Sequence, residues 1–282
     1  FSLHPDGSLT GGITGWFGYG ANFDIMGVRS SVFERQMSET ALYRVSLNYV
    51  KQMAPGPVDF DMCNGREQPP GKWEDCGFEL MAHESKINDW SDETEITAVH
   101  YQEISELAKQ LTGADHALVG GHILRNPEQI KIHQQLGPIM FAHSDFAETY
   151  GDLIRSRYTD DAEGLEGLER AGVSPDSVAK AKRLLILQFW RNVGEPKMDL
   201  PLAFCDARTA KKADVRAFPV NNYADSGFNF DALAMMAPEN SEDHHWYAFP
   251  EMQKDEVVAF RTYDTDRVGT DLPFWTPHCA FR

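Results

Sequence analysis

The sequence has little that would place the protein in a membrane, on a nucleic acid or in a disulfide-rich class. No stretch reaches the roughly 18 consecutive apolar residues of a membrane-spanning helix. Lys and Arg number only 26 against 43 Asp and Glu, and the net charge of −17 argues against nucleic-acid or anionic-membrane partners. The 4 cysteines form no C-x-x-C pair, which favours reduced thiols and a cytoplasmic location over a disulfide framework or a zinc cluster.

A glycine-rich strand–turn–helix fingerprint is also missing, which disfavours a Rossmann-type transferase. With 282 residues and 42% hydrophobic composition, the chain is long enough for a substantial core. We find no internal repeat and no linker, so we predict one domain over residues 1–282. Residues 1–75, rich in Gly, Pro and aromatics, are expected to form a loop and strand extension, and residues 76–282 a helix-decorated core.

The order of the predicted elements indicates an α+β protein built on a β-sandwich or barrel. The clearest helix is predicted over residues 91–113, with Ser91 as its cap and Gly113 as its stop. A second helical region, near residues 160–185, has Ser174 as a cap and Pro175 at the first helical position. The predicted strands include the segments HALVGGHIL, RLLILQFWRNV, LPLAFCDA, HHWYAFPEM, DEVVAFRTYD and FWTPHCAF.

A His-Ser-Asp triplet ends the apolar segment GPIMFAHSD and is the first candidate metal motif. His-x-Asp occurs twice, where composition predicts nearly one by chance, and the other copy, His4–Asp6, has the sequence of an exposed turn. On a strand over residues 138–145, His143 and Asp145 would point to the same face. They would then supply two ligands of a 2-His-1-carboxylate triad, which suits non-haem Fe(II). The alternative is a strand end at which the two side chains only hydrogen-bond each other.

The third ligand must come from a distant strand. Downstream candidates are His244, His245 and His278. Of the adjacent His244 and His245, only one could face inward from a strand. His278 lies on a short aromatic strand that follows an acidic turn and an apolar strand, which is a plausible end for a barrel. We therefore favour His278.

Several blocks of residues 76–282, in order, resemble the CmcJ/NvfI-type oxygenases of fungi and bacteria, which include the AsaB-like hydroxylase/desaturases and a gibberellin desaturase. The blocks are GFELMAHESKINDWSDETEI, YQEISELAKQLTGADHALV, HSDF, FWRNVGEPKMDLPLAFCDART, HHWYAFPEMQKDEVVAFRTYD and PHCAF. The resemblance implies a double-stranded β-helix (jelly-roll or cupin-like) core with flanking helices. It also implies Fe(II), 2-oxoglutarate as co-substrate and O2, with His143, Asp145 and His278 matching the metal-binding and catalytic triad.

Two departures from the family pattern concern the binding of 2-oxoglutarate. The usual WRP reads here as Trp190, Arg191 and Asn192, so the proline is lost. We predict that Arg191 binds a carboxylate of the co-substrate or substrate, and the alternative is a strand-end arginine that pairs with an acidic neighbour. The family normally continues past HxAF into an Arg-x-Ser-Ile-Glu-x-Arg segment, whose arginine is expected to pair with the distal carboxylate. This sequence stops at Arg282, and we expect a further segment to follow.

The resemblance implies oxidation of a C–H bond of a small molecule in secondary metabolism, by hydroxylation, desaturation, oxidative cyclisation or peroxidation. A homodimer is compatible with this interpretation. Two alternatives stay open at this point. One is a metal-dependent hydrolase or isomerase that needs no O2. The other is a non-catalytic accessory subunit of a biosynthetic complex, as CmcJ itself is associated with a methyltransferase system.

Overall fold

The computed structural model describes residues 14–18, 41–51, 54–125 and 127–282. Its strands are β1 (Thr14–Gly18), β2 (Ala41–Lys51), β3 (Ala54–Asn64), β4 (Phe78–Ala82), β5 (Gly121–Arg125), β6 (His143–Ser144), β7 (Leu185–Asn192), β8 (Leu202–Cys205), β9 (Val215–Val220), β10 (Phe230–Met235), β11 (Trp246–Ala248), β12 (Glu256–Asp264) and β13 (His278–Ala280). Its α-helices are α1 (Trp73–Cys76), α2 (Glu93–Glu95), α3 (Tyr101–Thr112), α4 (Pro127–Ile132), α5 (Tyr150–Asp160), α6 (Ala162–Arg170) and α7 (Pro175–Ala179). No helix in the described residues is long and apolar enough to cross a membrane.

The strands form two sheets. The smaller has the order β4-β12-β7-β1-β5, and the larger has the order β2-β3-β11-β8-β13-β6-β10-β9. The larger sheet curls on itself, because isolated bridges join Asn48 to Phe141 and Val50 to Met236. Helices flank this mixed, curled architecture, as the sequence predicted for an α+β protein with a jelly-roll core.

Aromatic residues fill the space between the two sheets. Phe204 of the larger sheet stacks on Phe78 of the smaller sheet at 5.3 Å between ring centroids and lies 5.1 Å from Phe260. On the opposite face of β7, Leu187 and Phe189 pack in a separate buried cluster with residues of α3. The side chains of β7 therefore alternate between the inter-sheet space and the helix-covered face, as the period of two requires.

The long predicted helix is interrupted. Its cap is Asp92, whose carboxylate accepts the backbone N–H groups of Thr94 and Glu95, and Ser91 is not the cap. A π-helical turn (Ile96–His100) separates α2 from α3, and Gly113 ends α3 in the left-handed conformation as expected. The expected Ser174 cap and Pro175 at the first position of α7 are both present.

Residues 1–75 contribute more to the sheets than the predicted extension suggested. β2 and β3 form a hairpin of two 11-residue strands, and β3 pairs in parallel with β11. β1 lies between β5 and β7 in the smaller sheet and is parallel to both. The copy of His-x-Asp at residues 4–6 lies outside the described residues. The single-domain assignment stays a prediction.

Candidate metal centre

His143, Asp145 and His278 meet in one buried cluster. The Nε2 atom of His143 lies 3.8 Å from Oδ1 of Asp145, and Nε2 of His278 lies 3.4 Å from Oδ2 of the same carboxylate. One ligand atom from each of the three residues lies within 4.8 Å of the other two. Among the described residues, no other group of His, Cys, Asp and Glu meets this criterion. The structure thus brings together the three residues that the sequence selected as ligands.

Strand pairing in the larger sheet produces this convergence. β6 is only two residues long, and His143 pairs across it with His278 of β13 on one side and with Ala234 of β10 on the other. Asp145 follows β6 directly, so the strand that the sequence predicted over residues 138–145 is much shorter than expected. The imidazole rings of His143 and His278 have centroids 4.3 Å apart, which places both rings on the same face of the sheet.

Each histidine is oriented by a carbonyl two residues before it. Nδ1 of His143 donates to the carbonyl of Phe141 at 2.7 Å, and Nδ1 of His278 donates to the carbonyl of Thr276 at 3.0 Å. Because a carbonyl only accepts hydrogen bonds, the proton is on Nδ1 and the lone pair is on Nε2 in both neutral rings. Metal-bound histidines commonly have this arrangement, in which an outer hydrogen bond fixes the tautomer.

The donor set fits a divalent transition metal. Nε2 of His143 is buried and makes no hydrogen bond within the described part of the chain, so its lone pair is available. Burial, together with the neighbouring His278, lowers the pKa of His143 to about 3, which keeps the ring neutral as a metal ligand must be. Two imidazoles and one carboxylate match the facial triad of non-haem Fe(II) sites, with coordination positions left for other ligands.

A fourth side chain, which the sequence did not assign to the site, contacts the cluster. Nε2 of Gln188 donates to Oδ2 of Asp145 at 2.6 Å, and Gln188 is fully buried. Gln188 lies on β7 in the smaller sheet, so this hydrogen bond joins the two sheets at the site. In the sequence, the only local hint of this role was that Gln188 is a polar residue at an inward-facing position of an apolar strand.

Arg191, predicted to bind the co-substrate, does not join this cluster. It lies on β7 three residues after Gln188 and donates to the carbonyl oxygen of His83 at 2.8 Å. Its guanidinium also lies 5.6 Å from the centroid of the Trp90 ring, and burial lowers the pKa of Arg191 to about 10. These contacts lie on the helix-covered side of β7, because side chains three apart on a strand face opposite ways. The predicted role of Arg191 therefore receives no support from its position.

Arg125, at the end of β5, is a buried cation beside the cluster that sequence reasoning missed. Its Nη1 donates to the carbonyl of Gln135 at 3.0 Å. Burial lowers the pKa of Arg125, while the neighbouring Tyr223 and Asp145 oppose this shift, and the charge of Arg125 in turn helps to lower the pKa of His143. In the sequence, the only hint of this role was that Arg125 is a single basic residue at the end of the apolar segment GGHILR.

The other histidines considered as third ligand lie elsewhere. Nδ1 of His244 hydrogen-bonds the hydroxyl of Tyr49 at 3.0 Å, and its Nε2 lies 3.2 Å from Asp214. The hydroxyl of Tyr49 also accepts from the indole of Trp246 at 2.8 Å, so this buried network belongs to the core of the larger sheet. His245 is exposed. Of the three candidates, the structure brings only His278 to His143 and Asp145.

The chain is similar to proteins named as a hydroxylase/desaturase and as an alpha-ketoglutarate-dependent dioxygenase. It is 25% identical over 224 residues to the hydroxylase/desaturase efuI of Hormonema carpetanum, covering 73% of this chain and 70% of that protein. It is 26% identical over 220 residues to the alpha-ketoglutarate-dependent dioxygenase phiK of Fungal sp., covering 74% of this chain and 71% of that protein.

A solved structure shows the same fold. The iron and alpha-ketoglutarate-dependent endoperoxidase NvfI superposes with a TM-score of 0.64 at 17% identity, covering 89% of this chain and 91% of that one. These similarities confirm the resemblance to NvfI-type oxygenases and the jelly-roll class. The family model described as "Oxidoreductase/YMDC permease-like domain" matches residues 46–282, and the chain therefore belongs to that family.

Proposed function

We infer that the protein is an Fe(II)/2-oxoglutarate-dependent dioxygenase that oxidises a C–H bond of a small molecule in secondary metabolism. The observation that carries this inference is the buried cluster of His143, Asp145 and His278, with ligand atoms within 4.8 Å of one another. The names of the similar efuI and phiK proteins, a hydroxylase/desaturase and an alpha-ketoglutarate-dependent dioxygenase, support the same chemistry.

The roles of the residues follow from their chemistry. His143 and His278 would bind iron through Nε2, and Asp145 would bind it through a carboxylate oxygen. When bound, Fe(II) with 2-oxoglutarate and O2 supplies the oxidising power, and the co-substrate leaves as succinate and CO2. The chain's own task is to hold the three ligands in place, keep His143 neutral and orient the substrate bond toward the metal.

The surroundings of the cluster are suited to an organic substrate. The ring of Phe260 lies 4.9 Å from that of His278, and the ring of Phe141 lies 5.1 Å from that of His143. Phe141 in turn contacts Phe218 at 6.0 Å, and both of these rings are partly exposed. An aromatic surround excludes water from the reacting atoms and favours a substrate with apolar surface.

The compartment and the assembly state are finer proposals. We propose a cytoplasmic enzyme, on the basis of four free cysteines. The homodimer stays a prediction. The hydroxylating, desaturating, cyclising or peroxidising outcome depends on the substrate.

Oxygen-dependent release of succinate tests the proposed function. We expect the protein to convert 2-oxoglutarate to succinate only when Fe(II) and O2 are both present, because each supplies part of the oxidising chemistry. His143→Ala and Asp145→Ala should each lower this turnover by at least about 100-fold, since each removes a ligand. Succinate is measured by mass spectrometry after O2 is admitted to an anaerobic mixture.

His245→Ala is the matched control, because His245 is an exposed histidine away from the cluster. It should keep the activity of the unmodified protein. Metal-dependent turnover of a substrate without O2 would instead indicate a hydrolase or isomerase. Intact metal binding in both His143→Ala and Asp145→Ala would contradict the assignment of the triad.

A further inference from the structure

Within the part of the chain that the structure describes, the side chain of a distant residue orients Asp145. His143 and His278 are each held by a carbonyl on their own strand segment, two residues away. Asp145 is held by Gln188, which is 43 residues away in sequence and lies on the other sheet. A backbone carbonyl cannot be lost by substitution, whereas the amide of Gln188 can. The geometry of the carboxylate ligand therefore depends on the identity of residue 188.

We propose that Gln188 is a positioning residue for the metal, which fixes the orientation of the Asp145 carboxylate toward His143 and His278. The amide N–H of Gln188 donates to Oδ2 of Asp145 at 2.6 Å. In this orientation, Oδ2 lies 3.4 Å from Nε2 of His278 and Oδ1 lies 3.8 Å from Nε2 of His143. A carboxylate oxygen accepts hydrogen bonds, so the amide presents its nitrogen to Asp145. This inference rests on the proposed metal site.

The surroundings of Gln188 make its position rigid. Its side chain is fully buried and points between the sheets, while its neighbours Leu187 and Phe189 pack on the opposite face with α3. Rotation of Asp145 away from its present orientation would leave the buried amide without this acceptor, which is costly in a low-dielectric interior. Gln188 thus resists rotation of the carboxylate away from the two histidines.

The test compares Mn(II) binding, as a redox-silent probe of the site, in two variants of Gln188. Gln188→Leu removes the donor at similar size, and Gln188→Glu replaces it with an acceptor that repels Asp145. We expect the Kd for Mn(II) to rise about 10- to 100-fold in Gln188→Leu, the range found when outer partners of metal ligands are removed. Gln188→Glu should weaken binding at least as much. Titration calorimetry and the EPR signal of unbound Mn(II) both give the Kd without any turnover.

Asn192→Ala is the matched control. Asn192 is a buried amide on the same strand and the same face, but it donates to the carbonyls of Met252 and Glu195 and not to the cluster. It should lower the Tm of the metal-free protein and leave the Kd for Mn(II) within about twofold of the unmodified value. Gln188→Leu should instead show a smaller rise in Tm when Mn(II) is added.

The outcomes separate the two levels of inference. If the unmodified protein binds no Mn(II), the proposed metal site itself is wrong. If it binds Mn(II) and Gln188→Leu binds equally tightly, the site stands and the positioning role of Gln188 is wrong. If Asn192→Ala weakens Mn(II) binding as much as Gln188→Leu, the effect is a general loss of packing in β7, and the positioning role is again rejected.

Discussion

At the scale of residues, the ease of predicting a site residue depends on how far away its partner is. His143 and Asp145 are two residues apart, so strand geometry alone suggested that their side chains converge. His278 was favoured because of the short aromatic strand that carries it, and it pairs directly with His143 although the two residues are far apart in sequence. Gln188 was not assigned to the site from the sequence. Its partner Asp145 is on the other sheet, and no local pattern encodes how two sheets are aligned.

Arg191 provides a residue-scale prediction that separates a structural role from co-substrate binding. Its guanidinium donates to the carbonyls of His83 and Lys254, so it joins the segment after β4 and the loop before β12 to β7. We expect Arg191→Met to lower the free energy of unfolding by about 3 kcal/mol, through loss of charge-assisted hydrogen bonds. The affinity for 2-oxoglutarate should be unchanged. Urea unfolding measures the first quantity, and equilibrium dialysis with Mn(II)-loaded protein measures the second.

Lys86→Met is a suitable control, since it removes an exposed positive charge from the same segment. It should change neither quantity appreciably. A large loss of 2-oxoglutarate affinity in Arg191→Met, without loss of stability, would restore the interpretation of Arg191 as a co-substrate ligand.

At the scale of elements, the turn between α1 and β4 determines where the segment before His278 lies. The carbonyl of Gly77 accepts from the backbone N–H of Arg261 at 2.8 Å and from the hydroxyl of Thr276 at 3.0 Å. Gly77 has a φ of 100°, which disfavours residues with a Cβ, and an added Cβ would overlap Oγ1 of Thr276. Because Thr276 also supplies the carbonyl that orients His278, this turn is coupled to the metal centre.

Gly77→Ala should therefore reduce both stability and metal affinity. We expect a loss of about 2–3 kcal/mol in the free energy of unfolding, from strained backbone and overlap with a packed side chain. Displacement of the segment around Thr276 should raise the Kd for Mn(II) by about 10-fold or more. Thermal unfolding and Mn(II) titration provide the two measurements.

Gly113→Ala tests whether the effect arises from backbone conformation alone. Gly113 also has a positive φ, of 66°, but nothing lies within 4 Å of an added Cβ. Gly113→Ala should lower the free energy of unfolding by about 1 kcal/mol and leave the Kd for Mn(II) unchanged. Equal Mn(II) affinities for Gly77→Ala and the unmodified protein would show that the turn does not control the position of His278.

Element boundaries were less predictable than element types. The apolar segments that contain β7, β8, β12 and β13 were predicted as strands and are strands in the structure. The strand predicted over residues 138–145 is only two residues long in the structure. The segment before it bonds elsewhere, since the side chain of Asn48 donates to the carbonyl of Met140 at 2.7 Å. The parallel pairing of β1 with β5 and β7 had no local signal, since register in a sheet depends on distant partners.

At the scale of the whole molecule, several buried histidines make the fold sensitive to acid. Burial lowers the pKa of His83 and of His244, and it lowers the pKa of His100 to about 4 despite the adjacent Glu103. His100 lies at the end of the π-helical turn, against the rings of His83 and Trp90. Each of these histidines is neutral in the folded protein at neutral pH, and protonation requires a charge to be buried.

Stability should therefore fall as the pH falls below the ordinary histidine pKa of 6.5. The unfolded chain takes up protons near that value, whereas folded His100 resists until about pH 4, so acid favours the unfolded state across this interval. We expect His100 alone to account for roughly 2 kcal/mol of lost stability between about pH 7 and about pH 4.5. Urea unfolding at a series of pH values measures the slope.

His100→Asn should flatten this slope, because it removes a group that only the unfolded state protonates in that interval. His116→Asn is the control, since His116 is exposed and should leave the slope unchanged. If His100→Asn keeps the full pH dependence, the acid sensitivity arises from other groups.

The hydrogen bond between Gln188 and Asp145 also has a consequence for the order of folding. Asp145 follows a strand of the larger sheet and Gln188 belongs to the smaller one, so the complete centre exists only after the two sheets have docked. A metal at this centre reaches its full affinity only after the sheets have docked, so part of its binding free energy is gained in a late step of folding. Interactions that are absent from the folding transition state slow unfolding and leave the folding rate nearly unchanged. Bound metal should thus slow unfolding more than it speeds folding, and so prolong the lifetime of the native protein.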